Sequence, residues 1–115
     1  MRFSILVAAV FALVAASVAQ TPAEVAAYGK AYASAKKALA AKPKDKKARA
    51  AFVVAGDRYA TATMNAPSLP PKVKYRAALR LYREVLKVDP TNREAKNNSE
   101  MIVSIYKSMH RPIPN

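Results

Sequence analysis

The 115-residue chain has no cysteine and no tryptophan, two glycines, one histidine and seven acidic residues. Each scarcity excludes something. Without Cys there are no disulfides, thiolate metal sites or thiol nucleophiles, so a folded domain must hold by packing. Two glycines are too few for a turn-rich all-β fold, which needs Gly wherever φ is positive. The single histidine, His110, falls at an expected helix C-terminus, where a cation is favourable. The carboxylates are scattered, and no pair within one helix has metal-ligand or glycosidase-like spacing. A Gly-rich phosphate loop and a Ser elbow are also missing. The expectation is a protein that is not an enzyme and takes no cofactor and no metal.

What is present divides the chain early. Arg2, an unbroken apolar run over 5–16, and the small residues Ser17 and Ala19 read as a secretory signal peptide over 1–19, cleaved before Gln20. The apolar run is shorter than the ~20 residues needed to span a bilayer. The expected product is exported, periplasmic or secreted, with no integral membrane span after cleavage. It retains 19 Lys and Arg against seven acids, a net charge of about +12. Such a charge on a small body favours acidic partners and opposes self-association at low salt.

Ala, Lys, Leu and Arg fill most of the remainder between proline-marked breaks, which predicts an all-α domain over 20–110 and an extended tail over 111–115. Four helices are expected, over about 22–41, 45–64, 71–88 and 91–110. Thr21 caps the first, with Pro22 at its first position and Glu24 completing a capping pattern. Asp45 caps the second, and Gly56 inside it marks a close helix approach at ~1 kcal/mol relative to Ala. Asp57 and Arg58 suggest an ion pair with a neighbouring helix. The connector 65–71, with Pro67, Pro70 and Pro71, is stiff and extended. On the third helix Tyr75, Ala78, Leu79, Tyr82, Val85 and Leu86 form one apolar face. At 100° per residue, Arg76, Arg80, Arg83 and Lys87 form a basic stripe well off that face. Thr91 and Glu94 suggest a capping box on the fourth helix, whose inner face carries Ala95, Ile102, Ile105, Tyr106 and Met109.

The most specific pattern is Ala78-x3-Tyr82-x2-Val85-x4-Pro90, followed by the turn and cap from Asp89 to Ala95. A small residue permits close approach, an aromatic fills the gap between hairpins, and a proline lets the next helix reverse. This resembles the second helix of the tetratricopeptide repeat. A weaker echo, Ala31-x3-Ala35-x2-Ala38-x4-Pro43, lies upstream. The two prolines are 47 residues apart against the usual ~34, Ala35 replaces the aromatic, and Ser99 and Glu100 depart from the family pattern. The resemblance implies four-helix antiparallel right-handed tetratricopeptide-like hairpins in a small exported bacterial protein. The alternative architecture is a simple up-down four-helix bundle. Because repeat units need neighbours, such a short array must be compact or self-associating.

The resemblance also implies a protein–protein interaction module, with a protein or peptide partner in a groove. Carried onto this chain, the groove candidates are Lys47, Ala50, Val54 and Arg58 on the second helix, and Asn97, Asn98, Met101 and Ser104 on the fourth. The competing reading is electrostatic binding of an acidic polymer, anionic lipid or nucleic acid. It would use Arg76, Arg80, Arg83 and Lys87, helped by the basic run Lys36, Lys37, Lys42, Lys44, Lys46, Lys47 and Arg49.

Overall fold

A computed structural model describes residues 20–115; the expected signal peptide over 1–19 lies outside the described residues. The chain folds as four α-helices, with no strand among the described residues: α1 (Pro22–Ala41), α2 (Lys46–Met64), α3 (Pro71–Val88) and α4 (Arg93–Ser108). This is the expected all-α four-helix arrangement.

Local chemistry sets the helix ends. Thr21 and Glu24 form a reciprocal capping box at α1, and the Asp45 carboxylate accepts from Ala48 N–H at α2. Both satisfy donors that the first helical turn leaves free. At α4 the cap is Asn92, which accepts from Ala95 N–H, and not Thr91. Asp89 Oδ1 accepts both the Thr91 N–H and the Thr91 hydroxyl, so this side chain is committed to the preceding turn. Glu94 is also diverted, accepting a hydrogen bond from Thr61 on α2 at 2.6 Å.

The C-terminus of α4 is closed by its backbone. His110 adopts φ 54°, its N–H donates to Lys107 C=O, and Arg111 N–H donates to Tyr106 C=O. This pair of bonds is the Schellman motif, here with histidine at the left-handed position that usually takes glycine. The tail beyond it folds back to α3, where Arg83 donates to Pro114 C=O at 2.7 Å.

Helices pack in sequence: α1 on α2, α2 on α3, α3 on α4, with no packing interface joining α1 to α4. Contacts between opposite ends make successive helices antiparallel. Arg49 at the start of α2 reaches Val88 C=O at the end of α3, and Gln20 N–H before α1 bonds Asn65 C=O after α2. The core is centred on α3, which buries Ala78, Leu79, Leu81, Tyr82 and Val85. Leu81 lies outside the single face expected for α3. It is buried because α3 is covered on more than one side, by α2 and α4. Gly56 marks a close approach of α2 to α3: a Cβ there would lie 2.5 Å from Val85 Cγ2.

Candidate binding groove

Where α1 and α2 run side by side, small residues dominate both facing surfaces. Ala27, Ala31 and Ala35 recur at every fourth position of α1, and Ala50, Ala51, Val54 and Ala55 face them from α2. Residues four apart share a helix face, so these form two low ridges with a shallow trough between them. The trough encloses about 740 Å³ and is completed by Tyr28, Lys47 and Arg58. Lys47 and Arg58 are eleven positions apart on α2, which places them roughly 16 Å apart along the helix at 1.5 Å per residue. An apolar channel thus carries a cation toward either end. Val54 is half exposed within it.

The four groove residues expected on α2, Lys47, Ala50, Val54 and Arg58, therefore line one cleft. The residues expected from α4 do not join it. Asn97, Met101 and Ser104 are exposed on α4, outside the trough. Asn98 turns inward and donates to the Tyr82 hydroxyl at 2.9 Å. The α1 wall was not among the expected site residues, although the four-residue recurrence of Ala27, Ala31 and Ala35 is visible in the sequence.

Beside the groove, a polar chain ties three helices together. Asn98 donates to Tyr82, and the Thr61 hydroxyl contacts both Tyr82 Oη and Glu94. A carboxylate only accepts, so Thr61 donates to Glu94 and Tyr82 donates to Thr61, fixing the direction of the whole chain. Burial raises the Tyr82 phenol above its ordinary pKa, so it stays a donor. Asp57 lies close by and is buried, with Oδ1 unpartnered. Desolvation, followed by the nearby Glu94 carboxylate, pushes its pKa up to about 6, with Asn92 opposing. The ion pair expected for Asp57 is therefore not formed: its charged neighbours here are acids, Glu94 and Asp89.

The basic stripe is split. Arg76, Arg80 and Lys87 are exposed, whereas Arg83 is partly buried and holds the tail through Pro114. Arg49 likewise serves as a clasp, donating to Pro43 C=O at 3.0 Å and Val88 C=O at 2.9 Å. Lys36 pairs with Glu84 at 3.7 Å, while Lys37, Lys42, Lys44, Lys46 and Lys47 stand exposed. The chain matches no protein-family model, no curated protein and no solved structure.

Proposed function

We propose that this is an exported, non-catalytic interaction module that binds an acidic peptide or partner helix in the α1–α2 groove. The observation that carries this reading is the trough itself: small apolar walls with Lys47 and Arg58 flanking Val54. Small walls let a partner backbone approach closely, so van der Waals contact accrues along its length. The two cations favour a partner with acidic residues near both ends of the contact, adding register and faster encounter more than raw affinity. Export rests on the character of residues 1–19, and the tetratricopeptide likeness rests on the Ala78–Tyr82–Val85–Pro90 spacing.

A second reading has its own support. Arg76, Arg80 and Lys87 are exposed on α3, away from the trough, and would suit an acidic polymer. The two readings use different surfaces and separate cleanly. Immobilised protein is exposed to extract from its own cell envelope at low and moderate salt. Under the groove reading, Val54→Asp with Ala31→Asp abolishes retention of the bound partner, and Arg76→Glu with Arg80→Glu leaves it. Retention that survives the groove substitutions but vanishes with the arginine substitutions transfers the function to the basic face. That binding would also weaken steeply as salt rises, because it releases counterions. Processing is checked separately by N-terminal sequencing of the exported protein, which should begin at Gln20.

A further inference from the structure

At the far end of the molecule from the α1–α2 turn, the start of α3 and the end of α4 enclose a second, smaller cavity of about 310 Å³. Its apolar lining comes from Tyr75 on α3 and from Ile105, Tyr106 and Met109 at the end of α4, over a floor of Pro70 and Pro71. Two cations, Lys72 at the start of α3 and Arg111 just after α4, also line it. Among the described residues neither has a carboxylate within ion-pair distance. The backbone of Arg111 is anchored, since its own N–H closes the Schellman turn on Tyr106. Met109 is about half exposed, leaving the cavity open to entry. The size falls at the lower end of small-molecule sites, which combine an apolar lining with a few placed polar groups.

We propose that this cavity binds a small single-chain carboxylic acid. The apolar body lies against Tyr75, Ile105, Tyr106 and Met109, and the carboxylate meets Lys72 and Arg111. The prolines suit the role because they give the floor a fixed backbone shape before any ligand arrives. Arg111 offers a planar fork of donors and Lys72 a mobile point charge, so one carboxylate can engage both. The site uses no residue of the α1–α2 groove, and its success or failure is independent of the function proposed for that groove.

The test is a titration of the purified protein, followed by amide and methionine-methyl NMR, with three probes: octanoate, 1-octanol and acetate. Octanoate should saturate and shift Tyr75, Ile105, Tyr106 and the Met109 methyl. Octanol should bind about tenfold or more weakly, the discrimination expected of a charge-assisted hydrogen bond. Acetate should leave these signals in place. Lys72→Ala with Arg111→Ala should remove the advantage of octanoate over octanol without altering the octanol shifts, which also shows that the pair variant folds. Equal binding of octanoate and octanol overturns the proposal in favour of nonspecific apolar adhesion. Equal effects of acetate and octanoate overturn it in favour of simple counterion binding. No saturable shift at these residues, or shifts confined to the α1–α2 groove, overturns it outright.

Discussion

Helices α1 and α3 have similar lengths but contribute to the fold in different ways. α3 buries five residues and is covered by both α2 and α4, whereas α1 buries one, Tyr32. That one residue is well held. Its ring packs against Phe52 and Tyr59 at centroid distances of 5.4 and 5.6 Å, and its hydroxyl bonds the Glu84 carboxylate on α3. α1 is thus an alanine-rich strut with one fully buried anchor, held besides by Ala35 and Leu39 against the core and by the Lys36–Glu84 pair, while Ala27 and Ala31 of its ridge stay exposed. α3 commits most of its apolar residues to the core, five of them buried, although Val73 near its start is half exposed. The comparison separates a helix buried on more than one side from one that keeps an exposed small-residue face.

The largest expected effect tests that division directly. Leu79→Ala leaves a cavity at a site that is 1% exposed and should cost about 2–5 kcal/mol, lowering the denaturant midpoint of the whole domain. Tyr32→Ala should act locally. Amide exchange should accelerate across α1 while α3 and α4 keep their protection, because no α4 interface depends on α1. If Tyr32→Ala removes protection uniformly, α1 belongs to the same cooperative unit as α3 and the contrast fails.

The next effect concerns the polar side of α2. The Asp57 pKa is about 6 in the folded protein, raised from an ordinary 3.8. The native state therefore holds this proton more tightly than the unfolded chain does. Stability should rise as pH falls from about 7 through 6 and level off below about 4, with a span of about 3 kcal/mol at most. Asp57→Asn should remove most of this slope and raise stability at neutral pH, read by thermal melts across that range. A pH profile unchanged by Asp57→Asn would place the titrating group elsewhere. Tyr32→Ala, in contrast, should leave the slope intact, since α1 contributes none of the groups acting on Asp57.

Much of this architecture was legible in the sequence because proline, capping residues and apolar spacing act locally. The bounds of α1 and α3 follow from Pro22, Pro43, Pro71 and Pro90, and Gly56 announced a close approach that Val85 makes. What escaped was decided by tertiary partners. Glu94 left its expected capping box for Thr61, Asn98 left the expected groove for Tyr82, and Leu81 was buried by a second neighbour. Arg49 and Arg83 read as surface charge, yet each is spent on a backbone carbonyl distant in sequence. The α1 wall of the groove escaped for another reason: an alanine ridge looks alike in sequence whether it is covered or open.

The two glycines give the smallest but sharpest version of the contrast between the halves. Both lie inside helices, where replacing Gly by Ala gains roughly 1 kcal/mol in helix propensity. They differ in what a methyl group would meet. At Gly56 it would lie 2.5 Å from Val85 Cγ2, in the packed interface with α3, so the helices must move apart. The overpacking penalty, typically about 1–3 kcal/mol, should exceed the gain, and Gly56→Ala should be net destabilising. At Gly29 the nearest atoms are the edge of the Tyr59 ring, at 3.2 Å and beyond, and Tyr59 is only partly buried. The edge of a partly buried ring can shift by the few tenths of an ångström required. Gly29→Ala should therefore be neutral or stabilising, by up to about 1 kcal/mol. Equilibrium denaturation of the two single variants decides it: opposite signs place tight packing at α2–α3 and slack at α1–α2. Equal destabilisation would show that α1 is seated as firmly as α3, and that the open ridge beside it is not free to adjust to a partner.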